Sequence, residues 1–330
     1  MQMRRLGNSG PEVSALGLGA MGMSDMYGPA DRAESLATIG AAVDAGISLI
    51  DTGDFYGMGH NEMLIGEALK SLPRDELVLS VKFGAQRTPD GAYVGFDGRP
   101  AAVKTSLAYS LKRLGVDHID IYRPARLDPA TPIEETVGAI AEMVEAGYVR
   151  HIGLSEVGSE TIRRAAAVHP ICDLQIEYSL ISRGIENGVL RTCRELGIGI
   201  TAYGVLSRGL ISGHAPQMSA PGDFRGHSPR FHGDNLQKNL KVTEALRAAA
   251  AEAGLTPAQA AIAWVAAQGQ DIVPLVGARR RDRLAEALGA LDSELSPQSL
   301  AALEAAAPPD AVAGDRYAAQ QMAMLDSERG

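Results

Sequence analysis

A chain of 330 residues, 45% hydrophobic and 22% charged, can bury a large core and has the make-up of a globular protein. Its net charge of −9 argues against nonspecific binding to nucleic acid or to an anionic membrane, while leaving room for a locally basic pocket. The two cysteines, Cys172 and Cys193, have neither CxxC nor metal-ligand spacing and no apolar run is long enough to span a bilayer, so a cytoplasmic protein with reduced thiols and no metal site is expected.

In chain order, short apolar or β-branched runs alternate with longer Ala/Leu/Glu/Arg-rich segments. Strands are expected over 14–20, 49–52, 77–83, 119–123, 149–155, 174–178, 199–203 and 271–277. Helices are expected near 32–45, 61–71, 100–114, 133–146, 159–168, 188–196, 239–253 and 280–288. Eight strand-then-helix units predict an α/β fold, a single (β/α)8 TIM barrel over residues 1–330, rather than a doubly wound sheet. Two segments lie outside the alternation. The loop 207–237 carries five Gly, three Pro and three Arg, and so long a loop is either functional or disordered. The tail 308–330, which contains Gly314, Asp315, Arg316 and Tyr317, either folds over one barrel face or frays.

Gly17-Leu18-Gly19-Ala20-Met21-Gly22 spells GxGxxG after the first predicted strand. A dinucleotide-binding motif of that kind needs a helix to open at the glycines. The turn-forming stretch that follows, up to Pro29, forbids a helix before about Ala30, so these glycines are read as the narrow end of the first barrel strand.

The second strand ends Asp51-Thr52-Gly53-Asp54-Phe55-Tyr56-Gly57, and the third contains Val81-Lys82-Phe83. In a barrel the carboxyl ends of neighbouring strands share the catalytic face, so Asp51, Tyr56 and Lys82 are expected to converge there. An ammonium beside a phenol lowers the phenol's pKa, and a carboxylate beside the ammonium fixes it and keeps it charged. Such a tyrosine can protonate a developing alkoxide. Residue types alone leave two other readings open: a rim ion pair with Tyr56 as a packing aromatic, or a Schiff-base aldolase, which a carboxylate-paired Lys82 disfavours.

These motifs closely resemble the aldo-keto reductase superfamily. The resemblance extends through Asn61-Glu62, Ile152-Gly153-Leu154-Ser155, Leu174-Gln175-Ile176-Glu177-Tyr178 and Thr201-Ala202-Tyr203-Gly204-Val205-Leu206-Ser207-Arg208-Gly209. It implies the (β/α)8 fold, a nicotinamide cofactor extended across the barrel mouth, and Asp51, Tyr56 and Lys82 as catalytic residues. It further implies that Ser155 and Gln175 hold the nicotinamide carboxamide, that Tyr203 stacks on the ring, and that Leu206, Ser207 and Arg208 contact the pyrophosphate. Gly277, Arg279, Arg283 and Glu286 fall where family members bind the adenosine end.

One position departs from the family. Where a histidine pointing at the substrate carbonyl is expected, the sequence has Ala125, within Arg123-Pro124-Ala125-Arg126. Alanine cannot donate a hydrogen bond. Ala125 and Arg126 are therefore substrate-pocket candidates: water, Arg123 or Arg126 compensates, or the alanine makes room for a bulky ketone, which the rigid Pro124 favours.

After the eighth strand, Arg279-Arg280-Arg281-Asp282-Arg283 open a helix. A solvated basic face is the ordinary reading, but cations at a helix N-terminus are unfavourable unless an anion answers them. The 2′-phosphate of NADPH is such an anion. The resulting expectation is NADPH-dependent reduction of an aldehyde or ketone as small-molecule substrate; the alternative is an NADPH-binding regulatory or interaction subunit with little turnover.

Overall fold

The computed structural model describes residues 1–24, 26–213 and 223–329. Eight short runs, mostly buried on both faces, pair in parallel and close into one barrel in sequence order. They are β1 (Gly17–Gly19), β2 (Leu49–Gly53), β3 (Val78–Phe83), β4 (Ile119–Pro124), β5 (Val149–Ser155), β6 (Ile171–Glu177), β7 (Gly199–Tyr203) and β8 (Ile272–Val276). Closure places Leu275 of β8 opposite Gly17 of β1. A Cβ on Gly17 would lie 2.9 Å from Leu275 Cδ1 and 2.9 Å from Leu49 Cδ2, so a side chain there would force the strands apart.

Helices α1 (Arg32–Asp44), α2 (His60–Leu69), α3 (Pro100–Leu114), α4 (Ile133–Glu145), α5 (Ser159–Val168) and α6 (Val189–Leu196) each follow one of the first six strands. α7 (Gly233–Glu252) and α8 (Pro257–Ala267) lie between β7 and β8, and α9 (Arg281–Leu288), α10 (Pro297–Ala306) and the short α11 (Ala319–Met322) follow β8. The larger apolar core fills the space between strands and helices. A smaller one, built on Leu6, Val13, Leu49, Val78, Ile121, Cys172, Val273 and Leu275, closes the floor of the barrel. Above it, the interior turns polar: Arg123 donates to Asp173 at 2.9 Å and to Ser80 at 3.0 Å.

The structure departs from the sequence reading in several places. The segment expected as one strand over 14–20 is broken, because Ser14 Oγ bonds Leu16 O at 2.7 Å where the ladder would run. Ser14 instead ends a hairpin of Met3–Arg5 with Glu12–Ser14, and Leu6 and Val13 from this hairpin form part of the floor. A second hairpin, Ala85–Arg87 with Tyr93–Phe96, stands beyond the end of β3. β6 starts at Ile171, ahead of the expected 174. α8 and α10 were not expected at all. α7 begins at Gly233, six residues before the expected 239, so the long loop is shorter than 207–237; its part at 214–222 lies outside the described residues.

The tail does not fray. Arg316 is buried, and residues 316–328 pack across the carboxyl ends of β5 to β7. Among the described residues no helix is long and apolar enough to cross a membrane, and no cluster of three or more His, Cys, Asp or Glu is placed to hold a metal ion.

Candidate active site

β2 and β3 pair with Asp51 opposite Ser80 and Gly53 opposite Lys82. That register puts the carboxylate and the ammonium on the same inner wall, and Lys82 Nζ donates to Asp51 Oδ1. Both are buried. The other carboxylate oxygen, Oδ2, accepts from Ser80 Oγ at 2.8 Å and from Gln175 Nε2 at 2.7 Å. Three partners leave Asp51 one orientation, and Ser80 links it to the Arg123–Asp173 pair beneath.

Tyr56 follows β2 in a tight turn in which Gly57 and Met58 have φ of 55° and 52°. A Cβ on Gly57 would come within 3.1 Å of Ser24 Cβ, which is why glycine occupies the turn. The turn is anchored by Asn61, whose Nδ2 donates to Ala20 O at 2.9 Å and to Ser24 Oγ at 2.8 Å. Tyr56 then stands with Lys82 Nζ over its ring, 5.1 Å from the centroid. The expected lowering of the phenol's pKa is not found: burial, reinforced by Asp51, pushes Tyr56 well above the usual tyrosine range, against an opposing pull from Arg126. Burial also draws Lys82 below the usual lysine range, although Asp51 works against it.

These three residues line one end of a cavity of about 840 Å³ that runs to the N-terminus of α9. Ala125, Arg126, Gln175, Tyr203, Leu206 and Arg208 line its middle, and Gly277, Arg279, Arg283 and Glu286 its far end. Two expected residues do not line it. Ser155 is fully buried, and its Oγ accepts weakly from Arg126 at 3.4 Å. Ser207 turns its hydroxyl to Ser179 Oγ, 3.1 Å away, and its N–H to Gly204 O at 2.7 Å. Arg123, weighed as a substitute for the missing histidine, lies below the site in the barrel interior. Arg126 reaches the cavity, folding back so that Nη1 donates to Ala125 O at 2.6 Å.

At the α9 end, Arg279 donates to the carbonyls of Tyr27, Gly28 and Pro29 at 3.3, 2.9 and 3.2 Å. Arg280 and Arg281 pair with Asp282 and Glu34, and Arg283 with Glu286 at 3.2 Å. Carboxylates thus answer part of the charge crowded at this helix start.

The sequence reading missed Glu156, and it named the tail residues that meet it, Arg316 and Tyr317, without a role in the site. Glu156 sits just past β5 with φ of 54°, one of four non-glycine residues at positive φ among those described; Ser207 and Arg208, also at the cavity, are two of the others. Such strain gathers where a backbone must serve a ligand or a clamp. Glu156 accepts from Tyr203 Oη at 2.6 Å and from both Arg316 amino groups at 2.8 and 2.6 Å. Burial alone would raise its pKa; Arg316 outweighs this and holds the carboxyl below the usual range. Tyr317 lines the cavity, with its hydroxyl 2.8 Å from that of Tyr203. An acidic residue at the carboxyl end of a barrel strand was a signal of position that could have flagged Glu156.

The model of the aldo/keto reductase family matches residues 15–308. A probable aldo-keto reductase 1 from Glycine max is 42% identical over 322 residues, spanning 96% of this chain and 92% of that protein. Among solved structures, the glycerol dehydrogenase AKR11B4 from Gluconobacter oxydans matches with a TM-score of 0.84 at 27% identity, over 93% of this chain and 96% of that one. The aldo-keto reductase AKR11C1 from Bacillus halodurans matches with a TM-score of 0.76 at 25% identity, over 93% and 96% of the two chains. The (β/α)8 barrel, its wall of Asp51 and Lys82 beside Tyr56, and these likenesses agree: the chain belongs to the aldo/keto reductase family, whose chemistry is carbonyl reduction with a nicotinamide cofactor.

Proposed function

We propose that this chain is an NADPH-dependent reductase of aldehydes and ketones with Tyr56 as the proton donor. The observation that carries the reading is the single cavity joining Tyr56 and Lys82 to the arginines at the start of α9. The residues along it suit an extended dinucleotide. Arg279, Arg280 and Arg283 offer charge for a 2′-phosphate at one end, with Glu286 and Gly277 beside them. The turn at 206–208, strained at Ser207 and Arg208, suits the passage of a pyrophosphate. Because both polar groups of Ser207 are already engaged, Leu206 and Arg208 carry that contact. Tyr203 offers a ring face to the nicotinamide, and Gln175, with Ser155 behind it, offers the carboxamide its polar partners.

When bound, the reduced nicotinamide supplies a hydride to the carbonyl carbon. The chain supplies the proton. Because burial and Asp51 keep the Tyr56 phenol above its ordinary range, it is protonated at neutral pH and able to give its proton to the carbonyl oxygen. Lys82, held by Asp51, then faces the phenolate that remains and stabilises it. The small side chain of Ala125 leaves room beside Tyr56, which suits a bulky ketone. Loss of NADPH absorbance with a panel of aldehydes and ketones, compared with NADH, tests the reading. Turnover with NADPH preferred supports it; tight NADPH binding with no turnover of any carbonyl compound would favour a regulatory subunit instead.

A further inference from the structure

The cavity wall carries two guanidinium groups, Arg126 and Arg87, whose hydrogen bonds all go to neutral oxygens. Arg126 donates to Ala125 O at 2.6 Å, and more weakly to Ser155 Oγ and Tyr317 Oη at 3.4 Å each. Arg87, on the hairpin beyond β3, donates only to Gly91 O at 3.0 Å and lies 5.9 Å from the centroid of Tyr93. Neither is ion-paired among the described residues. Two further polar atoms here are buried without a hydrogen-bond partner, Arg87 Nε and Tyr93 Oη. Unmet donors in a cavity wall are costly to the empty protein and become favourable when a ligand accepts from them. Arg87, Tyr93 and Arg126 line the same cavity, and both arginines draw down the Tyr93 phenol that burial raises. Tyr56 lines this same cavity with Arg126, so the anion locale adjoins the proton donor of the proposed reaction. The acidic groups that face it are already satisfied: Asp51 by Lys82, and Glu156 by Arg316.

We infer that the carbonyl substrate bears an anionic group, a carboxylate or a phosphate, received by Arg126 and Arg87 with Tyr93 as a third donor. This deepens the reductase reading and rests on it. Carbonyl and anion then occupy neighbouring positions: the oxygen to be protonated at Tyr56, the charged group across the mouth under the 85–96 hairpin. Arg87, being on a hairpin outside the barrel, selects the anion without taking part in proton transfer.

The test compares 4-carboxybenzaldehyde with its neutral methyl ester, methyl 4-formylbenzoate, in NADPH-dependent turnover by the wild type, Arg87→Met, Arg87→Lys and Arg126→Met. In parallel, calorimetry measures benzoate against benzamide binding to the cofactor-free protein. The expected result is a preference for the acid of about ten- to a hundredfold in kcat/KM, carried mainly by KM. That preference, and the affinity for benzoate over benzamide, should vanish in both methionine variants and return in part with Arg87→Lys. Equal kcat/KM for acid and ester in the wild type would overturn the inference and leave the reductase reading intact. No turnover of either aldehyde, with benzoate binding still lost in the methionine variants, would overturn the reductase reading and leave the anion site standing.

Discussion

Arg316 donates to both carboxylate oxygens of Glu156, a residue 160 positions earlier in the chain, at 2.8 and 2.6 Å. The pair joins the tail to the carboxyl end of β5, and it is reinforced by Glu328 at 2.7 Å and by Glu177 at 3.3 Å. It also brings Tyr317 into the cavity wall, under the Arg208 guanidinium, which lies 4.3 Å from the Tyr317 ring centroid.

Removing one partner of a buried ion pair leaves the other charge uncompensated, which typically costs about 3–5 kcal/mol. Arg316→Ala is therefore expected to lower unfolding stability by about 3 kcal/mol and to speed amide exchange across 315–329. Denaturant unfolding and hydrogen exchange check both. Unchanged protection in the tail would mean that the apolar contacts of residues such as Leu325 hold it without the ion pair.

Cofactor choice is expected to reside at the α9 end. Replacing Arg279 and Arg283 with Ala should raise KM for NADPH about ten- to a hundredfold more than KM for NADH. Arg279 also holds the carbonyls of Tyr27, Gly28 and Pro29, so some loss with both cofactors is expected. It is the difference between the two that reports the 2′-phosphate. Equal losses would show that these arginines only pin the 27–29 loop.

Asp54 gives the fold a pH dependence. Burial, with Glu62 adding to it, pushes this carboxyl up to about 7, and its Oδ1 has no hydrogen-bond partner. The folded protein therefore holds a proton that the unfolded chain loses near the ordinary aspartate value. Stability from this group is full below about pH 4 and is lost as the pH rises through about 7, a change of about 4 kcal/mol. Asp54→Asn should flatten that fall and leave the protein more stable than wild type at pH 8. Parallel stability curves against pH for the two proteins would contradict the assignment.

The barrel was legible because its strands are short apolar runs separated by helical patterns of regular length. The missing pieces each lacked that contrast. α8 is buried on nearly all sides, so its Ala-rich sequence shows no helical stripe, although Thr256-Pro257-Ala258-Gln259 does form a capping box that marks its start. The two hairpins have strands of three or four residues, too short for an alternating pattern to register. Within the site, Asp51, Tyr56 and Lys82 were legible because strand ends of a barrel share one face. Arg316 and Tyr317 were seen as tail residues without a place, since their partners, Glu156, Glu177 and Tyr203, are distant in sequence and leave no local trace. The direction of the Tyr56 shift was misread for a related reason: residue types gave an ammonium near a phenol, but only the fold puts that ammonium over the ring and the carboxylate close behind.

Tyr56 is proposed to give its proton to the substrate and not to hold the cofactor. Single-turnover and steady-state reduction by Tyr56→Phe, with NADPH affinity measured on the same sample, tests it most directly. The expected result is a loss of about a hundredfold or more in kcat, with NADPH affinity nearly unchanged. A variant that kept more than about a tenth of the wild-type kcat would show that another group protonates the carbonyl oxygen.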